Sequence, residues 1–231
     1  MHNQLSASAQ DYMKTIYRLT LEQEYASTNQ VAQQIGVAPA SATGMIQRLA
    51  ASQPPLVIYQ KHRGTRLTRD GERTALEIIR HHRLLETYLV NALGYSWDTV
   101  HEEACRLEHV ISEEFEMRIA AFLGNPQRDP HGELIPSAEL VMPADLSCPL
   151  SELRPNEKAT ITQVHANDPA LLRYLESIGI TPGVQVEALG YSPFDQTLEI
   201  KISGHKPKTL GFGITSQISV EMQSPVRSNN I

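Results

Sequence analysis

Cysteine is nearly absent. Cys105 and Cys148 are the only two in 231 residues. Two are too few for a disulfide framework, which fits a reducing compartment, the cytoplasm. No run of about 18 apolar residues occurs, so no membrane span is expected. The N-terminus lacks the basic, apolar, small-residue order of a secretory signal. Internal repeats and low-complexity tracts are missing as well. The length leaves room for two or three small domains.

Charge is unevenly spread beneath a net value of −6. Residues 1–75 carry eight Lys/Arg against five Asp/Glu, and residues 76–150 carry five against thirteen. A mildly basic first third suits an anionic partner, and an acidic middle suits cations.

Metal-ligating chemistry is concentrated in one stretch, His101-Glu-Glu-Ala-Cys105-Arg-Leu-Glu108-His109. Read as a helix, its His101, Cys105 and His109 recur at i, i+4 and i+8 and stack along one side, with Glu108 beside them. A face built of imidazole, thiol and carboxylate needs compensation, and a divalent cation supplies it. A solvated charged face is the plain alternative. His82 and Glu86, also i and i+4, form a second pair of candidate ligands on a preceding helix.

In chain order, Ser8-Ala-Gln-Asp11 resembles a capping box that opens a first amphipathic helix ending near Glu24. Ser27-Thr28 opens a short second helix that Gly36 closes. Pro39 starts a third, with Ala42, Met45, Ile46 and Leu49 inward and Ser41, Thr43, Gln47 and Arg48 outward. Two short helices around a tight turn, the second with a small polar outer face, describe a helix-turn-helix. Leu56 to Tyr59 reads as a strand, followed by Lys61, His62, Arg63 and Arg66 around Gly64. That is a hairpin with a basic tip, a wing. A long helix runs from Thr68 to about Leu93. The ligand-rich helix follows, then a helix from Ser112 to Leu123. Residues 124–155 are rich in Pro and Gly and read as irregular linker. Short strands are expected at Ala159–Val164, Val184–Leu189, Leu198–Ile202, Thr209–Phe212 and Ile218–Met222, with a helix capped by Asp168 between the first two. The tail from Ser224 reads as disordered.

The order winged helix-turn-helix, ligand-rich helices, small barrel resembles the diphtheria toxin repressor and manganese transport regulator family. His82-Arg-Leu-Leu-Glu86 and His101 through Val110 carry the resemblance most specifically. Asp11 through Tyr17, Ile58 through Thr68 and Leu175 through Gly183 support it. The resemblance implies a mainly α fold with small β content. It divides into a winged helix-turn-helix domain at 1–75, a helical metal-binding and dimerisation domain at 76–145, a linker with an SH3-like β-barrel at 146–223, and a tail at 224–231. It also implies a primary site of Asp11, Cys105, Glu108 and His109, and an ancillary site of His82, Glu86 and His101, completed from the barrel. Asp168 falls nearest the expected barrel carboxylate, and Leu171 falls where iron-type members place an amide.

Metal choice is mixed by the same comparison. Manganese-type members place Asp at the position of Asp11, and iron-type members place Cys at the position of Cys105. Lys14 stands where manganese-type members use Glu. Carboxylates and imidazoles suit Mn²⁺ or Fe²⁺, while one thiolate shifts preference toward Fe²⁺, Co²⁺ or Zn²⁺. Mn²⁺ is the expected ion and Fe²⁺ the alternative, with Zn²⁺, Co²⁺ or Cd²⁺ able to bind in vitro.

The expected function is a metal-dependent repressor of manganese or iron uptake genes. It would bind palindromic double-stranded operator DNA as a homodimer, with two dimers per operator as an extension. Ser41, Thr43, Gln47 and Arg48 are expected in the groove, and Lys61, Arg63 and Arg66 on phosphates or in the minor groove. No membrane or small organic ligand is expected. The rival readings are a metalloenzyme and a metal-buffering protein. Neither a nucleophile–base pair nor a phosphate-cradling glycine loop accompanies the ligands, so no enzyme is expected, and the basic wing argues against a buffer.

Overall fold

The computed structural model describes residues 5–165 and 168–223. The tail expected from Ser224 lies outside them. The chain divides into two compact units. The first comprises Met1–Leu85, Ala104–Gly124 and Ile135–Pro143, and the second Glu86–Glu103, Asn125–Leu134 and Ala144–Ile231.

The first unit opens with α1 (Ala7–Thr20), α2 (Thr28–Ile35) and α3 (Pro39–Ala50). The cap of α1 is Ser6, whose hydroxyl accepts from the Ala9 amide, and not Ser8. Ser8 already lies inside the helix, because the apolar face begins at Ala9 and needs that first turn. At α2, Ser27 and Gln30 form a reciprocal capping box, and Gly36 closes the helix at φ 76°. Met13, Ile16, Val31, Ala42, Ile46 and Leu49 make the core of this bundle.

The wing is the antiparallel pair β1 (Val57–Gln60) and β2 (Gly64–Leu67). Ala26 bridges to Thr65 with both backbone hydrogen bonds, 2.9 and 2.8 Å. Gly64 permits that approach. Its φ is 123°, and a Cβ there would stand 2.3 Å from the Ala26 carbonyl oxygen. Thr68 then caps α4 (Arg69–Leu93), accepting from the Gly71 amide.

Past α4 come α5 (Val100–Leu107) and α6 (Glu113–Phe122), the latter capped by Ser112. In the first unit, the buried Glu116 of α6 takes Arg80 at 2.5 Å and His81 at 3.1 Å, and Arg80 also reaches the Pro136 carbonyl. These contacts fasten α6 to α4.

The second unit is built on β3 (Cys148–Pro149), a 3₁₀ turn at Leu150–Glu152, β4 (Lys158–Val164), α7 (Pro169–Ser177), β5 (Gln185–Tyr191), β6 (Leu198–Ile202), β7 (Lys208–Leu210), α8 (Phe212–Thr215) and β8 (Ile218–Met222). The strands form one antiparallel sheet in the order β3-β8-β4-β5-β6-β7. Register shifts at Ile161/Gln163 and Ala188/Gly190 increase its twist. Leu198, Ile200 and Ile202 point inward and Glu199 and Lys201 outward, the alternation of a one-sided sheet. They join Leu150, Ile161, Leu175, Ile180, Val220 and Trp97 in one core. The strand expected at Thr209–Phe212 ends at Leu210, since Gly211 caps α8. The stretch 124–155 contains β3 and the 3₁₀ turn as well as connection. Among the described residues no helix is long and apolar enough to cross a membrane.

Candidate metal centre

The ligand-rich helix ends sooner than its spacing predicts. α5 stops at Leu107, and Glu108, His109 and Val110 form a turn before Ser112 caps α6. His109 therefore leaves the side on which i+8 would have stacked it. The stripe expected to run from His101 to His109 is cut after Leu107: His101 and Cys105 lie one turn apart on α5, and Glu108 and His109 lie on the turn beyond it.

In the first unit, ligand atoms of Asp11, Glu108 and His109 lie within 4.8 Å of one another. His109 Nε2 stands 3.2 Å from Asp11 Oδ1 and 3.4 Å from Glu108 Oε1. The other ring nitrogen, Nδ1, is 2.6 Å from Gln10 Oε1. An amide oxygen only accepts, so Nδ1 carries the proton and Nε2 faces the carboxylates with its lone pair. A metal-binding imidazole needs that tautomer. Two carboxylates and a correctly turned imidazole are donors that fit a hard or borderline divalent ion.

Glu108 is the buried centre of this cluster. Its Oε2 is 2.5 Å from His82 Nδ1, and its Oε1 pairs with the Lys14 ammonium. Burial opposes its charge, but the hydrogen bond and charge of His82, with Lys14 adding to them, hold the carboxyl below its ordinary range. Asp11 goes the other way. Burial raises its carboxyl, and His109 and Lys14 only partly offset that. Cys105 Sγ lies 4.0 Å from His82 Nδ1, so thiol and imidazole flank the Glu108 side of the cluster. Of the expected primary ligands, three converge and Cys105 stands with His82. Of the expected ancillary ligands, His82 thus belongs to the first unit.

Glu86 and His101 fall in the second unit, joined at 3.0 Å through Glu86 Oε1 and His101 Nδ1. Here Glu86, Asp129 and His131 form a buried candidate group of their own. His131 Nε2 donates to the Trp97 carbonyl at 2.7 Å and its ring stacks on the Trp97 indole, so Nδ1 faces Glu86, 3.5 Å from Oε2. Burial pushes the His131 imidazole down, but Glu86 and then Asp129 outweigh it and the net direction is up. Asp129 Oδ1 accepts from the amides of His131 and Glu133. Gly132 presses this loop onto β4. Its φ is 90°, and a Cβ would stand 1.9 Å from the Thr162 carbonyl oxygen. Asp168 caps α7, accepting from Ala170, and belongs to none of the candidate groups among the described residues.

Asp129 and His131 carry no spacing signal in the sequence, for they sit between Pro126 and Pro136, in a stretch whose Pro and Gly content predicts linker. An Asp-Pro-His run inside an acidic segment was the available signal. Gln10 was missed as well, since an amide beside Asp11 carries no ligand signature.

The DNA-facing candidates are mostly exposed: Ser41, Gln47 and Arg48 on α3, and Lys61, Arg63 and Arg66 on the wing. Thr43 is half-buried, and its hydroxyl donates to the Pro39 carbonyl. Arg63 pairs with Glu24 at 2.6 Å and lies 4.1 Å over the Tyr25 ring, with Arg66 5.3 Å from the same ring. Glu24 and Tyr25 therefore organise the wing, which the sequence did not suggest.

Three family models match in chain order. The iron dependent repressor N-terminal DNA binding domain covers residues 4–65. The iron dependent repressor metal binding and dimerisation domain covers 68–137. The FeoA domain covers 148–222. The iron-dependent repressor IdeR of Mycobacterium leprae (strain TN) is 29% identical over 231 residues, spanning 95% of this chain and 99% of its own. The diphtheria toxin repressor of Corynebacterium diphtheriae is 31% identical over 128 residues, spanning 55% and 56%. A solved manganese-dependent transcriptional repressor in complex with manganese is 38% identical. It superposes with a TM-score of 0.81 and covers 93% of this chain and 100% of its own. With the repressor domains matched in order and a 38% identical relative covered throughout, the chain belongs to the diphtheria toxin repressor and manganese transport regulator family of metal-dependent transcriptional repressors.

Proposed function

We propose that this chain is a metal-gated repressor in which one ion, held by Asp11, Glu108 and His109 with Cys105 and His82 alongside, fixes the helix-turn-helix for operator binding. One observation carries the reading. Asp11 and Gln10, on the first helix of the DNA-binding segment, meet His109 on the turn that follows α5. DNA binding is assigned to residues 1–75, metal binding and dimerisation to 76–145, and the SH3-like domain to 146–223, with 224–231 as a tail.

A bound divalent ion would supply positive charge shared by the two carboxylates and the imidazole. Asp11 then anchors α1, and through it α2 and α3, to the Glu108–His109 turn. The helix-turn-helix loses the orientations that miss the groove. If the operator-competent arrangement binds the ion a hundredfold better, occupancy shifts the equilibrium by about 2.7 kcal/mol, and the operator tightens ion binding by the same factor. Ser41, Thr43, Gln47 and Arg48 reach into the groove while Lys61, Arg63 and Arg66 lie along phosphates or in the minor groove. Thr43 contributes through its methyl group, since its hydroxyl is engaged. Two copies paired through the middle helices present two such heads to a palindromic operator.

Mn²⁺ is the proposed ion, supported by the hard donors Asp11 and Glu108 and by the manganese complex of the solved relative. Fe²⁺ is the alternative, favoured by the Cys105 thiol. Glu86, Asp129 and His131, with His101 on Glu86, are proposed as the ancillary site, and Asp168 serves α7 as its cap.

The test is fluorescence anisotropy on operator-length DNA from a metal-uptake promoter. Metal-stripped protein is titrated anaerobically with Mn²⁺, Fe²⁺ and Zn²⁺ at buffered free concentrations. Operator affinity should rise with Mn²⁺ in the wild type and lose that dependence in Asp11→Ala. Metal-independent binding by the wild type, or an unchanged response in Asp11→Ala, refutes the gating.

A further inference from the structure

Lys14 is out of place by ordinary packing rules. It lies on the inner face of α1 among Ala9, Tyr12, Met13, Ile16 and Tyr17, all buried. A lysine at a core position is costly unless its charge is answered. Here the answer is Glu108, whose side chain is 0% exposed against 9% for Lys14. The ammonium sits on Oε1, the same oxygen that lies 3.4 Å from His109 Nε2. The second oxygen of Glu108 faces His82. The carboxylate needed by an incoming cation thus already serves a cation of the protein's own.

We propose that Lys14 is a resident counter-cation of this metal site, competing with the divalent ion for Glu108 and so setting the ion concentration at which the site fills. The inference rests on the metal-site reading above. An ammonium and a divalent ion drawn to one carboxylate oxygen repel each other, and burial leaves little water to screen them. Glu108 must therefore loosen its hold on Lys14 as it takes the ion. A plain structural role, with Lys14 only steadying Glu108, has the opposite signature. Removing a support weakens ion binding, whereas removing a competitor strengthens it.

The experiment measures Mn²⁺ binding to the full chain by isothermal titration calorimetry, with metal analysis of dialysed protein as the second readout. Wild type, Lys14→Met and Lys14→Arg are compared at one pH and ionic strength. Lys14→Met should bind Mn²⁺ about ten- to a thousandfold more tightly, the range one charge within about 4–6 Å gives a charged equilibrium. Lys14→Arg keeps the positive charge and should stay close to the wild type. Equal or weaker binding by Lys14→Met overturns the proposal. Should that variant fail to fold, Lys14→Gln replaces it on the same readout: tighter binding supports the proposal, and equal or weaker binding overturns it. A wild-type chain that takes up no Mn²⁺ overturns the metal-site reading itself. A wild type that binds while Lys14→Met gains nothing overturns only the role of Lys14.

Discussion

Glu108→Gln is the sharpest test of how the first unit is held together. The substitution keeps the shape of the side chain and removes its charge. Lys14, 9% exposed, then keeps an ammonium with no anion on it from this position, and His82 faces an amide where it had a carboxylate. Breaking a buried ion pair from one side costs about 3–5 kcal/mol. For a chain in this size range each kcal/mol moves the melting midpoint about 2–4 °C, so the expected fall in Tm is about 6–20 °C. Replacing both partners by apolar residues, Lys14→Met with Glu108→Met, leaves no orphaned ammonium and should recover a large part of the loss. Circular dichroism melts in excess chelator measure this without any contribution from bound metal. A Glu108→Gln midpoint within about 2 °C of the wild type would refute the reasoning, since less than about 1 kcal/mol would then separate them. So would a double variant that falls by the sum of the two single changes, because coupling between contacting charges must show as non-additivity.

A pH dependence follows from Glu116. Burial opposes its charge, but His81 and Arg80 hold it below the ordinary carboxylate value of 4.5. For His81, burial lowers the pKa and Glu116 with the Glu108 carbonyl outweighs it, leaving a net rise above 6.5. The depressed carboxylate stabilises above its unfolded value and is lost as pH falls through its folded one, and the raised imidazole stabilises below 6.5 and is lost as pH rises through its folded value. Urea unfolding in chelator should therefore separate wild type from Glu116→Gln most between about pH 4.5 and 6.5, with a narrower gap at pH 8, and a constant gap would contradict the ion pair. Gly132→Ala puts a Cβ into the Thr162 carbonyl; it should displace His131 and lower the Mn²⁺ content of the dialysed protein by one ion, and unchanged content would contradict the proposed ancillary site. Arg66→Ala should weaken operator binding about evenly across sequences and reduce the salt slope by about 1, so an unchanged slope in anisotropy titrations would remove Arg66 from the phosphate contacts.

Local chemistry made much of the fold readable. Ser27, Gln30 and Gly36 bracket α2 by caps that depend on few neighbours, and the alternation of Leu198, Ile200 and Ile202 marks β6 because only one sheet face is buried. The misses share a different cause. Nothing at 108–110 resembles a helix stop, since no Gly or Pro stands there. α5 ends because Ser112 begins a new helix and because Glu108 and His109 find partners in α1 and α4. The ion pair of Lys14 with Glu108 spans 94 residues, so no window on the sequence could show it. Asp129 and His131 sit in irregular backbone, where periodicity carries no information. They are placed by Gly132 packing on β4 and by the Trp97 carbonyl. The ligand types were legible, whereas their grouping was set by tertiary packing.

The bridge between Ala26 and Thr65 carries a mechanical consequence. A hairpin tethered only at its base would swing as a separate finger and search for phosphate by itself. This one is stitched across the loop that joins α1 to α2, by two backbone hydrogen bonds, by Arg63 on Glu24 and by two guanidinium groups over Tyr25. Hairpin and α1–α2 loop are thus one piece. On the proposed reading, a small tilt of α1 would carry the hairpin with it, so the wing would reach the duplex in step with the helix-turn-helix and not before it.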